Sequence, residues 1–274
     1  MPYTDLLEAA MTKPLETLDL GLLGPGEVAL LIDFDGTLVD FAERPDDVSL
    51  APETQAVLET LSRQLHGALA IVSGRPIEDI DRFFAPALLP VAGVHGLTRR
   101  TAKGDVITKS IDEHALAVLT SRLQPFAEGT PGVLLETKPG SVVLHYRARP
   151  ESEGACISAV HKAVADLEGV QLLHGKMVIE AKAGMATKAE AVAEFMAEQP
   201  FRGRRPIFAG DDVTDEHAFE EIAKLGGFSI KIGAGETSAL YRTQGVGSFQ
   251  AWLLRLAAEL NVLQPEGIRN SEQP

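Results

Sequence analysis

The sequence predicts an α/β protein, a doubly wound parallel-sheet core interrupted by an inserted α+β cap, from three observations. Short continuous apolar runs alternate with segments of helical period over residues 28–94, the pattern of a parallel sheet covered by helices on both faces. The same alternation returns after residue 182. Between the two stretches the pattern changes to paired strand-like runs joined by a hairpin signal, which suits a small antiparallel sheet.

The first clear strand is residues 28–33, VALLID, and the residues before it read as a weakly amphipathic leader. PETQAVLETLSRQL, residues 52–65, has a proline near its first turn and apolar residues at Val57, Leu58, Leu61 and Leu65, the spacing of one helix face. A second strand over 68–72 is punctuated by Ser73-Gly74-Arg75-Pro76, after which 77–84 read as a short helix and 89–94 as a third strand. The middle gives a helix over 112–128, strands over 133–138 and 141–147 around Pro139-Gly140, a helix over 153–167 and two more strand-like runs. Then follow a helix over 187–198, a strand over 206–209, a helix over 215–225, a strand over 228–232 and a last amphipathic helix over 248–263. The simplest organisation is one discontinuous core, 1–103 and 183–274, with the cap at 104–182.

Composition narrows the function classes. The chain has 274 residues, 45% hydrophobic and 23% charged, the mixture of a soluble globular protein. Its net charge of −14 argues against nonspecific binding to nucleic acid or an anionic membrane, and an anionic substrate would need a locally positive pocket. The single cysteine, Cys156, cannot form an intramolecular disulfide or a Cys-rich zinc site and reads as a small apolar residue. No stretch has the roughly 20 apolar residues of a membrane span, and no secretory signal is evident, so a cytoplasmic location is expected.

The chemistry concentrates at strand ends. In Asp33-Phe34-Asp35-Gly36-Thr37, an extended backbone points Asp33 and Asp35 the same way and Phe34 the other. Ligands in doubly wound sheets bind outside the carboxyl ends of the strands, and Gly36 permits a sharp turn there. A second acidic cluster, Gly210-Asp211-Asp212-Val213-Thr214-Asp215, follows PIFA in the same context, with Thr214 or Asp215 reading as a helix N-cap. Mg²⁺ prefers a few hard oxygen ligands, which carboxylates gathered from two strand ends can supply. Ser73 ends the second strand and can donate a hydroxyl to a phosphoryl oxygen. Lys188 opens the helix after the cap, where a cation opposes the macrodipole, so an anion is expected opposite it. The loop Gly233-Ala234-Gly235-Glu236-Thr237 lacks the lysine of a phosphate-binding P-loop and is not read as an ATP site.

With DFDGT at Asp33, Ser73, Lys188 and GDD at Asp211 in this order, the chain resembles the haloacid dehalogenase superfamily, so the expected core is HAD-like. Over residues 28–263 it resembles more closely the trehalose-6-phosphate phosphatase family, through VSGRP at Val72, GVHG at Gly93, LHYR at Leu144, GKMVIE at Gly175 and GDDVTDE at Gly210. Ala189 stands after Lys188 where the family pattern has glycine. The resemblance implies that Asp33 attacks phosphorus to form an aspartyl-phosphate and that Asp35 protonates the leaving sugar oxygen, then activates water. It implies Mg²⁺ held by Asp33, the backbone carbonyl of Asp35 and Asp211, with Asp212 and Asp215 outside that ligand set. Thr37, Ser73 and Lys188 would hold the phosphoryl oxygens.

Glu136 and Lys138 share a strand face, Arg147 ends the partner strand, and Lys176 and Glu180 lie on later strands. The resemblance assigns cap residues such as these to sugar hydroxyls, with the cap closing over a disaccharide phosphate. His145 and Tyr146 read as cap-sheet packing, His95 as a hinge or substrate contact, and Arg75 as the partner of a motif acid or a helix-start ion pair. Two other readings stand beside it. One is a capped phosphatase for sucrose phosphate or a phosphorylated glycosyl-glycerate; the other is a silent domain that binds a sugar phosphate or partners a trehalose-phosphate synthase.

Overall fold

The computed structural model describes residues 12–41, 48–175, 177–184 and 186–263. Among them the strands are β1 (Lys13–Pro14), β2 (Val28–Ile32), β3 (Leu69–Val72), β4 (Val91–Gly93), β5 (Thr98–Arg100), β6 (Val106–Thr108) and β7 (Leu134–Lys138). They continue as β8 (Ser141–His145), β9 (Val170–Gly175), β10 (Val178–Ala183), β11 (Arg205–Gly210), β12 (Phe228–Ile232) and β13 (Tyr241–Thr243). The helices are α1 (Pro52–Gln64), α2 (Ile77–Phe84), α3 (Glu113–Glu128), α4 (Glu153–Val164), α5 (Lys188–Ala197), α6 (Val213–Lys224) and α7 (Val246–Leu263). The chain divides into two compact units, Met1–Ile107 with Thr187–Pro274, and Thr108–Ala186.

The first unit is built on a nine-stranded sheet in the order β1-β13-β12-β11-β2-β3-β4-β5-β6. From β1 to β4 every neighbouring pair is parallel, and β5 returns antiparallel to β4. All five residues of β2 are buried, as an apolar run covered on both faces requires. From β2 the chain winds outward through β3 and β4, whereas from β11 it winds the opposite way through β12 and β13. The strand order therefore reverses between β2 and β11, and the crevice at their carboxyl ends is where such sheets bind ligands. Phe208 of β11 packs edge-on to Phe219 of α6, ring centres 5.8 Å apart, and each such buried aromatic stabilises the sheet–helix contact by about 1.5–3 kcal/mol.

Two expectations are corrected. Residues 12–27 are not a leader outside the fold: β1 pairs with β13, and Leu15, Leu18 and Leu23 are buried in the main core. β1 and β13 are two and three residues long, too short to show a period. The helix expected to start at 215 starts at Val213, because the N-cap is Asp212, in a capping box with Asp215.

The second unit is built on a four-stranded sheet, order β7-β8-β10-β9, in which β7 with β8, β8 with β10 and β10 with β9 pair antiparallel. Lys138 pairs with Ser141, so Pro139-Gly140 is a two-residue hairpin loop, with Gly140 at φ +81°. Alternation puts Leu135, Val142, Leu144, Ile179, Ala181 and Leu172 on one face, in one cluster with Leu119 and Leu123 of α3 and Cys156 and Val160 of α4. The other face carries Glu136, Lys138, Ser141, Glu180 and Lys182. No helix among the described residues is long and apolar enough to cross a membrane.

Candidate active site

The loops leaving β2 and β11 meet at the reversal point. Asp33 directly follows β2 and donates its amide to the carbonyl of Ala209 in β11 at 2.9 Å, which ties the two strand ends together. The chain then turns sharply, the Leu38 amide bonding to the Phe34 carbonyl at 2.9 Å and the Gly36 amide to the Val39 carbonyl at 2.8 Å. Gly36 lies at φ +80°, and a Cβ there would stand 2.3 Å from Asp211 Oδ2. Both the turn and the approach of the second acidic loop need glycine at this position.

Lys188 is the first residue of α5, whose N-terminus carries a Thr187–Glu190 capping box. Its Nζ donates at 2.7 Å to Asp33 Oδ1 and at 2.7 Å to Asp215 Oδ1. The anion expected opposite this lysine is thus a pair of carboxylates. Thr37 Oγ1 donates to Asp33 Oδ2 at 3.2 Å. Asp215 Oδ2 accepts the amides of Asp211 and Asp212, both at 3.0 Å, so both Asp215 oxygens are engaged and the residue braces the loop. Asp33, Thr37, Ser73, Lys188 and Asp215 are all buried.

Asp33, Asp211 and Asp215 present carboxylate oxygens within 4.8 Å of one another. Against three carboxylates Lys188 supplies one positive charge. Burial lifts Asp33 well above the usual carboxylate range, against the pull of Lys188 and with the charges of Asp215 and Asp211 adding to it. Burial first and Asp215 second push Asp211 up to about 7. Burial works against the charge of Lys188, but Asp215 and Asp33 outweigh it and hold the ammonium above its ordinary range. Asp211 Oδ1 is buried without a hydrogen-bond partner. A hard donor oxygen left unsatisfied beside excess negative charge fits a divalent cation.

Asp35 is turned to a different partner, with both oxygens bound by Arg75 at 2.7 Å. Ser73 donates its amide to Ala92 at 2.8 Å, and its Oγ accepts the Arg75 amide at 3.1 Å. Two residues to which the sequence assigned no role complete the surroundings. Lys231, buried at the end of β12, donates to the Asp211 carbonyl at 2.5 Å and stands 3.6 Å from Glu216. Glu216 Oε2 in turn accepts the Ser238 amide at 2.8 Å and hydroxyl at 2.9 Å. A lysine near the end of an apolar strand beside an acidic loop is the signal that could have found this link.

In the second unit, Glu136 pairs in register with Val143, and Val143 with Glu180, so the two glutamates lie in one row across one face. Lys138 Nζ is 3.6 Å from Glu136 and His145 Nε2 is 2.7 Å from it. Arg147 is exposed, two residues past the end of β8. Lys176 lies outside the described residues. Tyr146 is buried and its hydroxyl donates to Glu153 at 3.1 Å.

The family model for trehalose-phosphatase matches residues 31–246. The chain is 36% identical over 251 residues to the trehalose-6-phosphate phosphatase of Escherichia coli (strain K12), covering 91% of this chain and 93% of that one. It is 43% identical over 209 residues to a probable trehalose-phosphate phosphatase of Sinorhizobium fredii, covering 75% and 77%. Among solved structures, a trehalose-6-phosphate phosphatase related protein superposes with a TM-score of 0.70 at 25% identity, over 85% of this chain and 99% of that one.

Proposed function

The chain belongs to the trehalose-phosphatase family of phosphoric monoester hydrolases, and from that premise we propose that it hydrolyses trehalose 6-phosphate to trehalose and phosphate through an aspartyl-phosphate. The observation that carries this reading is the buried Asp33–Lys188–Asp215 bridge at the point where the strand order reverses. A carboxylate held on one oxygen by an ammonium and on the other by Thr37 is oriented for attack, and its two donors also suit phosphoryl oxygens.

Asp33 attacks phosphorus, the bond from phosphorus to the sugar oxygen breaks, and Asp35 delivers its proton to the departing oxygen. Water then attacks phosphorus, the Asp33–phosphorus bond breaks with its electron pair returning to Asp33, and the water proton passes to Asp35. Ser73 and Thr37 hold the phosphoryl oxygens together with Lys188. Asp33, the Asp35 carbonyl and Asp211 would hold Mg²⁺, which when bound offsets the repulsion between carboxylate and phosphate dianion.

Sugar selection is assigned to Glu136, Lys138 and Glu180 on the polar face of the second sheet, and to Arg147 and Lys176. Mixed carboxylates and cations suit hydroxyls that both donate and accept. This reading puts the enzyme in the cytoplasm, after a synthase that supplies the phosphorylated disaccharide. A silent binding domain would have no use for a buried nucleophile, ammonium and second acidic loop converging on one point.

The test is phosphate release, with and without Mg²⁺, from trehalose 6-phosphate, sucrose 6-phosphate, glucose 6-phosphate and an aryl phosphate, with Asp33→Asn as control. Mg²⁺-dependent preference for trehalose 6-phosphate, abolished in a folded Asp33→Asn protein, is the expected result. Near-normal turnover by that variant would sink the nucleophile assignment, and preference for another substrate would discard the sugar assignment alone.

A further inference from the structure

We infer that Arg75 is the positioning residue for Asp35, fixing the carboxyl group that the reaction uses first as acid and then as base. The inference rests on the proposed mechanism for what Asp35 does and on the geometry for what Arg75 does to it. Arg75 Nε lies 2.7 Å from Asp35 Oδ2, and a terminal nitrogen lies 2.7 Å from Asp35 Oδ1. A planar guanidinium that grips both oxygens sets the plane and rotation of the carboxylate, which a single ammonium cannot do.

Arg75 is itself held from several sides. Its amide donates to Ser73 Oγ at 3.1 Å, and its carbonyl accepts the Val94 amide at 3.0 Å. Its guanidinium carbon lies 5.6 Å from the ring centre of Phe34 and 5.7 Å from that of Phe83, close enough for cation–π attraction. The segment that receives the Arg75 carbonyl is strained. Val94 and His95 have φ of +50° and +56°, a region that a β-branched residue rarely enters and that costs about 1–3 kcal/mol per residue. Just before them, a Cβ on Gly93 would stand 2.9 Å from the Arg75 carbonyl oxygen.

An exposed helix-start ion pair, worth about 0–1 kcal/mol, gives no reason for such a mount. The Arg75 side chain is only 14% exposed, and through it the second half of the site, Ser73, is tied to the acid two residues after the nucleophile. The alignment matters in both half-reactions, because the Asp35 proton must reach the sugar oxygen and the same oxygen atom must later take a proton from the attacking water. An aryl leaving group departs as a stable anion and needs no proton, so with an aryl phosphate only the second half-reaction depends on Asp35.

The experiment uses Arg75→Met and Arg75→Lys, each with and without Asp35→Asn, on trehalose 6-phosphate and p-nitrophenyl phosphate with Mg²⁺. Thermal unfolding checks that each variant is folded, and Arg75→Lys carries the test if Arg75→Met is not. The expected loss of kcat on trehalose 6-phosphate in Arg75→Met is about 10²-fold with KM little changed. Arg75→Lys falls in between, and neither substitution costs anything further once Asp35 is Asn. With the aryl phosphate, Arg75→Met releases a burst of about one nitrophenol per site before slow turnover, because the phosphoenzyme forms normally and hydrolyses slowly. An equal loss in the Asp35→Asn background, or a raised KM at unchanged kcat, would overturn the inference. Full activity of Asp35→Asn alone would instead overturn the acid–base reading on which it rests.

Discussion

Lys188→Met removes the ammonium that stands 2.7 Å from both Asp33 and Asp215 while keeping an unbranched side chain of similar length. The lysine is 3% exposed and its partners 5% and 0%, so water cannot replace it. Removing one partner of a buried ion pair costs about 3–5 kcal/mol. The carboxylates left behind lie within 4.8 Å of one another, and two charges at that distance repel by about 3.5 kcal/mol at an effective dielectric constant near 20. The variant relieves this by keeping a proton that the unfolded chain releases. A carboxyl whose folded pKa is raised loses stability as pH rises, so the deficit should grow by up to about 1.4 kcal/mol per pH unit. Urea unfolding of metal-free protein at about pH 6 and pH 8 measures it. The single tryptophan, Trp252, is buried in the main core and reports on that unit. A loss under about 1 kcal/mol near pH 8, or one independent of pH, would refute the argument that Lys188 neutralises the cluster.

Three further outcomes are expected. Because Asp211 is lifted from 3.8 to about 7, metal-free protein loses stability as pH rises across that interval, and a cation competes there with a proton. The rise in Tm on adding Mg²⁺ should therefore be larger near pH 8 than near pH 6, and equal rises would count against Asp211 as a ligand. Gly36→Ala forces a Cβ to within 2.3 Å of Asp211 Oδ2 at φ +80°, a backbone cost of about 1–2 kcal/mol. The Mg²⁺ concentration for half-maximal activity should rise at least about tenfold with circular dichroism unchanged. Glu180→Ala and Lys138→Ala, on the polar face of the second sheet, should lower kcat/KM for trehalose 6-phosphate while leaving an aryl phosphate unaffected; equal effects on both substrates would remove these residues from sugar recognition.

Features set by near neighbours in the chain were legible before the structure. β2 could be read because a strand covered on both faces must be apolar at every position, and β12 was delimited at both of its ends. The Pro139-Gly140 hairpin was legible because a two-residue turn needs a residue that tolerates positive φ. Asp33 and Asp35 stood out because two acids ending an apolar strand have no structural reason to be there. Lys188 was singled out by its unfavourable place at a helix start, and the structure supplies the two carboxylates that explain it.

What the sequence determined by itself is therefore the longer local elements and most of the polar groups at the site, because helix and strand periods, turn residues and caps act over a few positions. Tertiary structure alone decided the partners. Arg75 grips Asp35 from 40 residues away, Lys188 spans 155 residues to Asp33, and Asp215 is turned inward to brace the acidic loop rather than outward to solvent. The edge pairing of β1 with β13 was equally hidden, since two or three residues carry no period. These contacts follow from the strand order, and the strand order follows from how two windings of one sheet bury their apolar faces. That is a condition on the whole core, and no local stretch of sequence expresses it.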